Sequence, residues 1–93
     1  MTTRPDGIPV LVKAGWTERV DLGEGRAVLF YDDGPARFEH VCHRVRDDRA
    51  LIVAPSLENH TIVSRDPLTI TASIACWDCP IHGWVRDGQW VPA

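Results

Sequence analysis

What most limits the folds open to this chain is that its apolar residues come in short runs, each stopped by turn formers. The runs cover residues 8–12, 26–31, 36–41, 50–54, 61–64 and 68–74, with a final pair around Asp87-Gly88. Between them stand DLGEG at 21–25, DDGP at 32–35, RDD at 46–48 and RDP at 65–67. Glycine there tolerates positive φ, proline presets φ, and aspartate hydrogen-bonds its own backbone. Runs this short and this punctuated predict a mainly β, single-domain antiparallel protein. Residues 1–7 offer turn formers and nothing to bury, so they are expected to form a flexible N-terminus ahead of one β-rich domain over 8–93.

Two runs say more than the others. In LTITASI, Leu68, Ile70 and Ile74 fall on one face and Thr69, Thr71 and Ser73 on the other, the period of a half-buried strand. In RAVLFY both faces are apolar, Val28 and Phe30 against Leu29 and Tyr31, which predicts a strand covered on both sides. One segment reads two ways. Phe38, Val41, Cys42 and Val45 share a face if residues from Pro35 onward form one short helix, whereas 36–41 also reads as a strand.

Ninety-three residues suffice for one core, burying roughly 60–65 % of the surface that the unfolded chain exposes. The composition, 44 % hydrophobic and 25 % charged, is that of a globular protein rather than a disordered or fibrous one. The uncharged stretch 67–77 is broken by threonine and serine, and residues 1–7 lack an apolar leader run, so a cytoplasmic protein is expected. Net charge is −3 and the arginines alternate with aspartates, as in RVRDDR at 44–49. Such a surface offers no basic stripe for nucleic acid or for an anionic membrane.

Chemistry concentrates in CWDCPIHGW. Cys76, Cys79 and His82 form CxxCxxH, and a tight turn can aim both sulfurs of a CxxC at one Zn²⁺. A closed zinc site takes four ligands, so another must come from EHVCHR, which holds His40, Cys42 and His43. If that segment is a strand, His40 and Cys42 share a face and His43 points away. The expected metal set is Cys42, Cys76, Cys79 and His82, with His40 and His43 as alternatives and His60 as a distant reserve. Structural zinc contributes on the order of 10 kcal/mol to folding in favourable cases, a large gain for a small core. The competing reading is that the three cysteines merely pack, since free cysteine is among the most buried residue types. A redox role for the CxxC lacks a surrounding βαβ pattern.

The closing WVRDGQWV contains Asp-Gly between apolar residues, a strong hairpin signal. A two-residue loop sets Arg86 opposite Gln89, Val85 opposite Trp90 and Trp84 opposite Val91. Trp84 and Trp90 then leave opposite faces of the ribbon, whereas a three-residue loop would pair them. One indole is expected in the core. The other is left for Trp16, for strand 8–12, for a second subunit or for a partner, and Trp84 and Trp90 are the expected partner-binding residues.

From about Arg26 to Trp90 the chain resembles a family of small phage and bacterial proteins of unknown function, in style closest to short proteins of actinobacterial phages. The matching pieces are VLFYDDG, HVC at 40–42, APSL at 54–57, LTITASI at 68–74 and CPIHGWVRDGQW at 79–90. The resemblance implies zinc held between a first cysteine-rich turn and the terminal Cys-x-x-His. This chain has His43, Arg44 and Arg46 where that pattern carries further cysteines, and Cys76 is extra. Either one thiolate has moved to the second turn, or the site has lost its metal.

No catalytic constellation is evident: Asp78 is the only carboxylate inside the motif, and serine-nucleophile and phosphate-cradling patterns are absent. The expected function is therefore non-enzymatic. The resemblance implies a small phage-encoded accessory protein that binds a host protein, to the detriment of host growth, with a structural zinc ion. One alternative is a zinc-stabilised nucleic-acid-binding module using Arg44, Arg46, Arg49, Arg65 and Arg86. Another is a self-associating structural protein, for example a homodimer.

Overall fold

The computed structural model describes residues 2–93, and these described residues run through ten strands. They are β1 (Thr2–Thr3), β2 (Pro9–Leu11), β3 (Trp16–Gly23), β4 (Arg26–Tyr31), β5 (Gly34–Arg44), β6 (Arg49–Val53), β7 (Thr61–Arg65), β8 (Leu68–Ala75), β9 (His82–Arg86) and β10 (Gln89–Pro92). Six make one sheet in the order β1-β2-β6-β5-β4-β3, and four make a second in the order β10-β9-β8-β7. Every pairing is antiparallel except β2 with β6. There is no helix among the described residues, and thus none long and apolar enough to cross a membrane.

The two sheets share one core. Val28, Phe30, Ala36 and Phe38 from the larger sheet meet Leu68, Ile70, Ile74 and Val85 from the smaller, with Leu57 between them. The double-sided apolarity of β4 has its expected consequence. Val28 and Phe30 enter this core, while Leu29 and Tyr31 pack on the far face with Val12 and Ala54. The Tyr31 hydroxyl donates to the Lys13 carbonyl at 2.7 Å, pinning the chain before β3 over that face.

β5 settles the segment that read two ways. As a strand it sends Ala36, Phe38, His40 and Cys42 inward, all buried, and turns Arg37, Glu39, Val41 and His43 outward. The helical alternative would have gathered Val41 and Val45 with Phe38, yet both valines are exposed. Period two wins because β4 and β6 supply ladder partners on either side, pairing Val28 with Phe38 and Cys42 with Leu51.

Two elements were not anticipated. β3 is a largely exposed edge strand whose Glu18, Arg19 and Asp21 mask its inward Val20 and Leu22. It joins β4 through Glu24 and Gly25, both at positive φ (53° and 78°), the geometry that suits a two-residue hairpin. The N-terminal residues Thr2 and Thr3, expected as a flexible end, pair antiparallel with Val10 and Pro9.

The closing hairpin adopts the two-residue loop. Gln89 pairs with Arg86, Trp90 with Val85 and Val91 with Trp84, around Asp87 and Gly88 at φ 51° and 76°. Trp90 accordingly turns inward and stacks on Phe38 with centroids 5.0 Å apart, and Arg26 lies over its ring at 5.6 Å. It lies across Gly83 so closely that a Cβ there would stand 2.6 Å from the indole and 2.5 Å from the Val91 carbonyl oxygen. Trp84 is on the outer face, half-buried between His82 and Arg86.

Candidate metal centre

The inward parity of β5 carries two residues beyond the apolar core, His40 and Cys42, both 1 % exposed. Past the end of β8 the chain turns through Cys76–Cys79 and doubles back toward β9. This knuckle is tied down by backbone hydrogen bonds from Cys76 N–H to the Ile81 carbonyl (3.2 Å) and from Val45 N–H to the Asp78 carbonyl (3.1 Å). The second bond fastens it to the chain leaving β5. An amide of the knuckle, Asp78 N–H, also points at Cys76 Sγ at 3.5 Å, as amides do around metal-bound thiolates.

The result is four potential ligands, His40, Cys42, Cys76 and Cys79, with donor atoms all within 4.8 Å of one another. Cys42 Sγ stands 3.7 Å from Cys76 Sγ, and His40 Nε2 stands 3.6 Å from Cys79 Sγ. A tetrahedron with metal–sulfur bonds of about 2.3 Å and a metal–nitrogen bond of about 2.05 Å has S···S edges near 3.8 Å and S···N edges near 3.6 Å. These two edges of the six match that shape. All three thiols are free, with no disulfide among them.

The imidazole is prepared for this role by its surroundings. His40 Nδ1 lies 3.4 Å from the Phe38 carbonyl, so a proton on Nδ1 donates there and leaves the Nε2 lone pair facing the sulfurs. Its ring stacks on Phe38, centroids 5.1 Å apart, and Phe38 stacks in turn on Trp90. A column of three rings thus runs from the candidate metal site to the closing hairpin. Burial, helped by the Arg26 charge, holds His40 below its ordinary range against the pull of the Phe38 carbonyl, favouring the neutral ligand form.

Cys42 and Cys79 resist ionisation while no cation is present. Burial first, then the neighbouring Cys76 and Cys79, push Cys42 up to about 12, and burial also raises Cys79. These groups are neutral in the metal-free chain at pH 7, and a bound cation must expel their protons.

The expected set therefore differs in one member. Cys42, Cys76 and Cys79 come together, but His82 stands outside the group and His40 occupies the fourth corner. Strand parity is the reason. In β9, Gly83 and Val85 are buried, so His82, Trp84 and Arg86 face outward, and His82 rests its ring beside Trp84. The alternation of Ile81, Gly83 and Val85 carried that signal in the sequence. His43 is exposed on the outer face of β5, with Nε2 2.8 Å from an Asp48 carboxylate oxygen. His60 bonds through Nε2 to the Ser73 carbonyl at 2.9 Å and is not among the four.

Trp77, inside the knuckle between Cys76 and Cys79, is wholly exposed, with Val45 beside the same knuckle 79 % exposed. The knuckle turns its two sulfurs inward, so the intervening side chain faces solvent. On the other side an open groove of about 810 Å³ runs past Cys42 and Cys76 and is walled by Leu11, Val53, Leu57 and Ile74. Three of the five arginines considered for nucleic acid sit near acidic partners, while Arg49 is exposed opposite Arg44. Arg44 pairs with Asp47, Arg46 approaches Asp78 at 4.0 Å, Arg65 pairs with Glu18, and Arg86 lies over Trp84.

No family model matches this chain, no curated protein does, and no solved structure does.

Proposed function

We propose that the chain is a zinc-stabilised, non-enzymatic β domain that works by binding another protein, as a small phage-encoded accessory protein directed at a host component. The observation that carries the zinc reading is that three thiols and one imidazole bring their donor atoms within 4.8 Å of one another, with the His40 Nδ1 beside the Phe38 carbonyl. Such Cys₃His donor sets suit zinc, and four protein ligands leave no open position for substrate or activated water. A closed site of this kind is structural. The phage origin and the host partner rest on the family resemblance described from the sequence.

Of the four tryptophans, Trp90 is committed to packing on Phe38 and Trp84 is half-buried, so neither is the most available anchor for a partner. Trp77, on a knuckle the metal would hold rigid, supplies that surface together with Val45. Two experiments test the proposal. Elemental analysis of the purified chain should give about one zinc per chain, and little in Cys79→Ser. Capture from host lysate should enrich a protein with the parent and lose it with Trp77→Ala. A parent that enriches nothing ends the host-binding reading.

A further inference from the structure

We propose that the metal centre is also an oxidation site: hydrogen peroxide converts Cys42 and Cys76 into a disulfide between β5 and the knuckle, and the zinc ion leaves. This rests on the zinc reading above and adds its regulation. The sulfurs are unequal in access. Cys79 is 9 % exposed, and Cys42, though it borders the open groove, is 1 % exposed, whereas Cys76 borders the same groove and is part-exposed. Peroxide arriving through the groove meets Cys76 first.

Cys42 Sγ faces Cys76 Sγ at 3.7 Å, from 34 residues away in sequence. Cys79 instead addresses the His40 ring at 3.6 Å. The pair that closes is therefore between β5 and the knuckle, not within the CxxC.

The chemistry balances in two steps. The Cys76 thiolate attacks one peroxide oxygen, the O–O bond breaks, hydroxide leaves, and Cys76 carries a sulfenic acid. The Cys42 thiolate then attacks the Cys76 sulfur, the S–S bond forms, and the second oxygen departs as hydroxide. Two thiolates have given two electrons to the peroxide, two protons from solvent complete two waters, and the zinc ion keeps its oxidation state. Left with only His40 and Cys79, the ion dissociates. The new bond joins the same two elements that the metal joined, so the oxidised form stays folded.

The test starts from the zinc-loaded full chain, its metal content fixed by elemental analysis before any oxidant is added. Hydrogen peroxide is titrated in while a chromogenic chelator reads free zinc. Intact mass and peptide mapping read the sulfur chemistry, and circular dichroism reads the fold. The proposal expects one zinc released per disulfide, a loss of two hydrogens in mass, a crosslinked peptide joining Cys42 to Cys76, and retained β structure. A thiol reductant with added zinc should restore the starting state. A crosslink between Cys76 and Cys79, or over-oxidised Cys76 with zinc still bound, overturns it. A chain that carries no metal at the outset fails at the elemental analysis, which refutes the zinc reading separately from the disulfide assignment. Mapping the chelated chain after peroxide then still decides the pairing: a Cys42–Cys76 crosslink supports it and any other refutes it.

Discussion

Gly83→Ala should be a costly single-methyl change. An added Cβ would stand 2.5 Å from the Val91 carbonyl oxygen, 2.6 Å from one carbon of the Trp90 indole and 2.8 Å from another. The oxygen belongs to the paired strand, so relief requires β10 to move or Trp90 to leave its place. Overpacking of this kind costs about 1–3 kcal/mol. Displacing Trp90 from Phe38 forfeits about 0.5–1.5 kcal/mol of aromatic stacking. Replacing glycine within a strand returns about 0.5–1 kcal/mol of backbone entropy. The balance is a destabilisation of about 2 kcal/mol, which for a domain of this size lowers Tm by about 8–16 °C. Thermal unfolding followed by circular dichroism and tryptophan emission measures it. Gly34→Ala is the control, because a Cβ there meets only the tip of Lys13 at 3.7 Å. If the two variants melt within a few degrees of each other, Trp90 does not pack across Gly83 as described.

The two hairpin tryptophans should separate in the same assay: Trp90→Ala removes the hairpin end of the ring stack on Phe38 and costs about 3 kcal/mol, while Trp84→Ala, on the outer face, costs about 1 kcal/mol. Equal losses would contradict the observed register. Trp77→Ala should leave Tm and zinc content unchanged, because a fully exposed side chain contributes within about 0.5 kcal/mol, and a large drop in either would place it against the body of the protein. In the metal-free chain, stability should fall at both ends of the pH scale. Burial depresses His40, so below about 6.5 the unfolded chain takes up its proton first and stability is lost as pH falls through the folded value. Cys42 is pushed up to about 12, so its contribution is whole below 9.0 and lost as pH rises from there toward about 12. Urea unfolding of chelated protein across this range measures both limbs, and a flat profile would contradict the burial of these groups.

Much of this architecture was legible residue by residue. The apolar faces of β4, the alternation of β8 and the Asp87-Gly88 loop each depend on local sequence, and each is seen in the fold. β3 was hidden because an edge strand is exposed on most of its surface, and Glu18, Arg19 and Asp21 look like loop residues until Val20 and Leu22 are seen reaching the core. The candidate site was legible in its sulfurs and not in its imidazole. Spacing along the chain favoured His82, three residues after Cys79. Which histidine turns inward is decided by strand parity, and parity in β5 and β9 is fixed by the core contacts of Phe38, Gly83 and Val85.

That choice of histidine is also where the account is most exposed. Zinc content should be measured on the parent, His40→Ala and His82→Ala after equal loading and gel filtration. About one zinc per chain is predicted for the parent and for His82→Ala, with His40→Ala retaining a small fraction of that. Metal kept by His40→Ala and lost by His82→Ala, or a parent that binds none, would contradict it.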